Sequence, residues 1–294
     1  MNDWMDREGS PHYSLQYDEV FHPKVNADVI ILGASNSAHG INPKYLEKDH
    51  SKVFNFSLNG AGPYFYLKWY RKIFQRNYKK PDCVIYGVNW MMFADHRLQR
   101  QIENDSKYIP LDIIFSEFRD LKTLNTLVLN RFPFIRGRRE LPERFFGLFE
   151  KHAKGSPFIL SGYYNGFIPY ERKGRLDKQK GFKPQHDRIQ ISAFEELLDE
   201  FKKDKIQVIL VEVPGYRPAR SDSDISEAMQ LIHKIADERQ IPFLDYETKR
   251  ISDLNTNPDY FSDWVHLNEK GSVAFSELLR SDLDSLLKQR TAKD

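Results

Sequence analysis

The stretch that decides the fold is Asp28-Val29-Ile30-Ile31-Leu32-Gly33-Ala34-Ser35-Asn36-Ser37. Residues 28–32 form a short apolar run with no period of its own, as expected of a strand buried on both faces of a parallel sheet. Gly33 ends the run, and small residues follow. That reads as a turn out of the strand into a helical return over 36–48. Similar apolar runs recur at 52–56 (KVFNF), 81–88 (PDCVIYGV), 206–213 (IQVILVEV) and 242–246 (PFLDY). Between them, apolar residues at helical spacing fill 64–78, 187–204, 223–239 and 268–289. Alternating strands and helices predict a parallel sheet with helices on both faces. The expected architecture is therefore α/β, a three-layer α/β/α sandwich on five parallel strands.

One interval breaks this rhythm. Residues 94–185 are too long for an ordinary connection. They contain helical patterns at 112–130 and 140–153, then the aromatic stretch SGYYNGFIPYERKG. The expectation is a helical insertion between the third and fourth strands of a single domain spanning 1–294, with 1–27 as an N-terminal extension. No internal repeat or low-complexity tract is visible.

Composition narrows the function. The 294 residues carry 44 Lys and Arg against 42 Asp and Glu, a net charge of +2, which excludes a globally basic nucleic-acid binder. A single cysteine, Cys83, excludes an internal disulfide framework and a cysteine-based zinc site. The histidines lack ligand spacing, so no metal site is expected. Charge is segregated: residues 131–185 hold 13 Lys and Arg and 5 Asp and Glu, a net of +8, leaving −6 for the rest. This stretch is either a solvated surface or a face that meets an anionic substrate, polymer or membrane. The first residues are polar and acidic, with neither a basic nor an apolar segment of the secretory kind, so no signal peptide is expected in this chain. No apolar run reaches the roughly 20 residues needed to span a bilayer.

Four segments carry polar groups suited to one reaction. Ser35 follows the first strand at a sharp turn, where a hydroxyl is exposed. Gly60 lies in NFSLNGAGP after the second strand, where a backbone N–H can approach a ligand closely. Asn89 lies in GVNW after the third strand and offers an amide donor. Asp263 precedes His266 by three residues ahead of the last helix, a spacing that lets a carboxylate hold one ring nitrogen and leave the other as a base. Trp90 and Trp264 flank these positions and either stack on a sugar or pack in the core. Tyr163 and Tyr164, in the aromatic stretch 163–170, either line a substrate groove or pack as a loop. His39 reads as a surface or supporting histidine, and Asn36 as a helix-start residue.

Taken together, Ser35, Gly60, Asn89 and His266 with Asp263 resemble the block residues of the SGNH (GDSL-type) hydrolase superfamily, over residues 28–92 and 206–286. That resemblance implies a flavodoxin-like sheet of five parallel strands. It also implies a serine nucleophile at Ser35, a base at His266 held by Asp263, and an oxyanion hole from Ser35, Gly60 and Asn89. No cofactor is implied. The chain departs from the family pattern at Ala34, where an aspartate is usual, and at Gly87-Val88-Asn89. In these respects it is similar to the branch that acylates surface polysaccharides, including alginate O-acetylation and lipoteichoic-acid D-alanylation proteins. That likeness implies an ester or glycan substrate, a membrane-bound O-acyltransferase as partner, no nucleic acid, and an extracytoplasmic domain following a membrane anchor. Two other readings stay open on the residues: a soluble intracellular carboxylesterase or lipase-like enzyme, and a catalytically weak scaffold that binds a glycan or an acyltransferase.

Overall fold

Five strands hydrogen-bond in the order β2-β1-β3-β4-β5, every pair parallel. They are β1 (Val29–Leu32), β2 (Val53–Asn55), β3 (Cys83–Val88), β4 (Gln207–Glu212) and β5 (Phe243–Asp245). This computed structural model describes residues 19–20, 25–48, 51–94, 163–170, 174, 176–177, 186–219, 222–250 and 252–291. The chain divides into two units: Met1–Leu98 with Gly162–Asp294, and Gln99–Ser161. The second unit, and with it the helices expected at 112–130 and 140–153, lies outside the described residues. Among the described residues, no helix is long and apolar enough to cross a membrane.

The strands lie where the apolar runs predict, each trimmed by a residue or two at its ends. Their alternation sorts the core into two faces. Ile31, Ile85, Ile209 and Val211 point to one side, where Phe275 and Leu279 of α5 (Glu269–Thr291) join them in a buried cluster. Val84, Tyr86 and Leu210 point to the other side. There Tyr86 meets Tyr66 and Phe194, on α2 (Pro63–Trp69) and α3 (Arg188–Lys203). The helix α4 (Asp222–Glu238) lies beside α3, and Arg239 at its end pairs with Glu195 and Asp199. Helices thus cover both faces, giving the expected three-layer sandwich.

Two helices differ from the periodicity. The return expected over 36–48 is a short α1 (Ser35–Gly40) followed by a separate 3₁₀ turn, Pro43–Tyr45. Ile41 and Asn42 between them are extended, and for Asn42, which precedes Pro43, sterics require it. The helix expected over 64–78 begins at Pro63, then widens into a π-helical turn, Tyr70–Phe74, before Gln75–Asn77. Its inner side carries Trp69 and Phe74, which cluster with Phe56 from the end of β2.

Sheet order also locates the site. Chain progression runs from β1 outward to β2 on one side, and from β1 through β3 to β5 on the other. The reversal between β1 and β3 opens a crevice at their carboxyl ends, where open parallel sheets bind ligands. Ser35 follows β1 and Asn89 follows β3.

Candidate active site

Backbone geometry at the end of β1 exposes Ser35. Gly33 adopts φ +152°, in the region that favours glycine, and a Cβ there would stand 2.5 Å from Ser37 Oγ and 2.8 Å from the Gly87 carbonyl oxygen. Ser37 is buried between the ends of β1 and β3. This lets α1 start abruptly, with Ser35 as its first residue.

The DWVH segment closes on itself. Phe261 and Leu267 form an antiparallel bridge, and the Ser262 N–H donates to the His266 carbonyl at 2.9 Å. Inside this loop, Asp263 Oδ1 accepts the backbone N–H groups of Val265 and His266, both at 2.8 Å. Asp263 Oδ2 also lies 2.8 Å from His266 Nδ1. A carboxylate only accepts, so Nδ1 carries the proton and Nε2 presents its lone pair. Ser35 Oγ lies 2.8 Å from that Nε2 and donates to it. Burial would raise the Asp263 carboxyl, but the His266 hydrogen bond and charge and the two backbone N–H groups outweigh it and hold the group at about 2.

Asn89 is 6% exposed. Its Oδ1 accepts the Met91 N–H at 2.9 Å, so its amide N–H₂ turns toward Asn36 Oδ1, 3.4 Å away. The carbonyl end is thereby occupied and the donor end faces the neighbourhood of α1. Gly60 adopts φ +78°, with nothing within 4 Å of where a Cβ would stand. Its loop is clasped to the end of β1 by Tyr66, a helix residue that belongs to no motif. Tyr66 donates its hydroxyl to the Gly33 carbonyl at 2.6 Å and accepts the Leu58 N–H at 3.0 Å. Leu58 N–H also reaches the Gly33 carbonyl at 3.1 Å. Asn55 makes a second clasp, donating to the carbonyls of Ser37 and Ile41.

Trp90 and Trp264 come together, ring centroids 6.3 Å apart. Tyr163 and Tyr164 take their partners elsewhere. Their hydroxyls donate to Glu19 and Glu47, along the edge of the sheet beside β2. The neighbouring Asn165 carbonyl accepts the Asn55 N–H at 2.8 Å, and a Cβ on Gly166 would collide with the Asn55 backbone. Carboxylates 117 and 144 residues away claim these phenols, a fact no local pattern encodes. The aromatic stretch instead reaches the site through Tyr170, whose ring stacks on His266 at 4.4 Å and 20°. His39 is 1% exposed and sits edge-on to His266 at 5.8 Å. It is a buried neighbour of the site rather than a surface group. Among the described residues, no group of three or more His, Cys, Asp and Glu side chains is placed to hold a metal ion.

No family model and no curated protein matches the sequence. Solved structures are similar to it at low identity. A Streptococcus pneumonia protein provisionally called a platelet activating factor is 13% identical, covering 95% of this chain and 94% of its own, with a TM-score of 0.47. A lipase/acylhydrolase from Enterococcus faecalis is 14% identical over 87% of this chain and 95% of its own, with a TM-score of 0.43. A GDSL-like lipase from Bacteroides thetaiotaomicron is 14% identical over 88% of each chain, with a TM-score of 0.42.

Proposed function

We propose that this chain is a serine-dependent ester hydrolase working through an acyl-enzyme on Ser35. The observation that carries this reading is the unbroken hydrogen-bonded series from Ser35 Oγ through His266 to Asp263, each link 2.8 Å, at the switch point of the sheet. Ser35 Oγ attacks the ester carbonyl carbon while its proton passes to His266 Nε2. Asp263, held ionised by the donors around it, stabilises the resulting imidazolium. The tetrahedral oxyanion is met by the N–H groups of Ser35 and Gly60 and the amide of Asn89. The C–O bond to the leaving alcohol then breaks, and His266 returns the proton to that oxygen. A second hydroxyl, from water or a sugar, repeats the sequence on the acyl-enzyme and frees Ser35.

The finer part of the proposal is an ester on a cell-surface glycan, with the acyl group passing to water or to a sugar hydroxyl. Two features support it. The half-buried indole of Trp264, backed by the buried ring of Trp90, suits the apolar face of a pyranose. The net charge of +8 over residues 131–185 suits an anionic polymer.

The test is Ser35→Ala, assayed on small acetyl esters and on acetylated glycans, alongside intact mass after an organophosphonate. The wild type should gain one phosphonyl group on Ser35. The variant should gain none and lose hydrolysis by at least about 10⁴-fold. Full activity without Ser35 would overturn the nucleophile, and hydrolysis confined to simple esters would overturn the glycan.

A further inference from the structure

We infer that Tyr170 is a positioning residue for His266, and that it acts mainly when the acyl-enzyme is hydrolysed. This rests on the acyl-enzyme reading above and adds a residue to it.

The geometry is specific. Tyr170 lies flat against the imidazole, 4.4 Å between centroids and 20° between planes. The ring is 7% exposed, and its backbone is pinned: Ser262 Oγ donates to the Tyr170 carbonyl at 2.9 Å. Ser262 also gives its N–H to the His266 carbonyl, so one residue ties both partners of the stack. Gly174 continues along the same loop, its N–H on the Ser262 carbonyl, where a Cβ would meet Asp263 Cβ at 2.5 Å. From the other side, His39 donates Nδ1–H to the Ile168 carbonyl at 2.7 Å and meets the Tyr170 ring at 4.8 Å. The imidazole of His266 is therefore enclosed by Asp263 at one nitrogen, Ser35 at the other, Tyr170 on a face and His39 at an edge.

The need for a face contact follows from the reaction. In the free enzyme, hydrogen bonds at both nitrogens fix the imidazole. Acylation esterifies Ser35 Oγ, which then has no proton to donate. His266 keeps only the Asp263 bond, about which the ring can swing. In the second half-reaction its Nε2 must still receive the proton of the attacking water as the new C–O bond forms. It must then return a proton to Ser35 Oγ as the acyl C–O bond breaks. A ring stacked on one face holds the imidazole plane through that interval. A misplaced base costs rate steeply.

Rapid-quench kinetics with p-nitrophenyl acetate separate the two half-reactions. Tyr170→Leu and Tyr170→Met, checked for folding by circular dichroism, should keep a p-nitrophenol burst of full amplitude, with acylation within about threefold of wild type. Steady-state turnover should fall roughly tenfold, with acetyl-enzyme accumulating by intact mass. Tyr170→Phe, which keeps the face and loses the hydroxyl, should restore turnover. Wild-type deacylation in a folded Leu or Met variant overturns the role of Tyr170, as does equal slowing of both steps. A burst that survives Ser35→Ala overturns the acyl-enzyme reading instead, so the two failures are distinguishable.

Discussion

Among the described residues, two aspartate–histidine pairs have the same length, and one of them has the surroundings of a base. His266 Nδ1 meets Asp263 Oδ2 at 2.8 Å, and His233 Nε2 meets Asp245 Oδ2 at 2.8 Å. The difference lies at the far nitrogen. For His266 it faces the Ser35 hydroxyl at 2.8 Å. For His233 it faces the Lys249 ammonium at 3.3 Å, a group that donates and cannot accept. Asp245 is committed elsewhere as well. It accepts from the N–H groups of Glu247 and Thr248 and from the Thr248 hydroxyl, closing the turn after β5. The pair on its own is thus a structural device. It becomes a base only where its second nitrogen is held toward a nucleophile.

Substitutions can break that comparison, and the losses should be graded. The largest is Ser35→Ala, described above. Asp263→Asn should come next, lowering kcat roughly 10³–10⁴-fold in steady-state assays, because an amide no longer enforces the Nδ1–H form of His266. The same variant tests the carboxyl's low affinity for protons. With Asp263 at about 2 when folded, against 3.8 as the ordinary value, the unfolded chain binds the proton more readily. Asp263 therefore contributes stability that is full above the ordinary carboxylate range and is lost as pH falls toward about 2. Urea midpoints between pH 5 and pH 2.5 should fall less steeply for Asp263→Asn than for the wild type.

Asn89→Ala removes one oxyanion donor and should lower kcat about 10²–10³-fold with KM nearly unchanged, read from Michaelis–Menten curves. The smallest effect on rate sharpens the contrast directly. His233→Leu should leave esterase activity within about twofold of wild type. It should instead lower stability by roughly 1–2 kcal/mol, measured by urea denaturation, because the buried Asp245 carboxylate loses one of its donors. Loss of activity in His233→Leu with stability intact would mean that the two pairs are not separated in role.

Legibility in the sequence tracks how local each interaction is. Asp263 and His266 are three residues apart, and their hydrogen bonds close within one loop, so the spacing alone carries the pair. Gly33 reads as a strand end because the turn beneath it needs a residue without Cβ. Tyr66 is an ordinary apolar position of a helix by periodicity, yet its hydroxyl clasps the ends of β1 and β2. Tyr163, Tyr164 and Tyr170 stand within eight residues of one another in the sequence. They take partners on separate elements, two at the β2 edge and one on His266. Nothing in an aromatic run distinguishes these fates.

The sequence by itself determined the five strands, their parallel pairing and the Asp–x–x–His loop. Strands buried on both faces must be apolar throughout, and a three-residue spacing closes a side-chain contact without help from the rest of the chain. Only the tertiary structure decided that His266 and not His233 faces a serine. It also decided that Tyr170 is the tyrosine laid on the imidazole. Ser35 and His266 are 231 residues apart, and their 2.8 Å contact exists because strand order places β1 beside β3 and brings the loop before α5 over the crevice between them. Distances of that kind are set by packing, which acts on surfaces assembled from the whole chain.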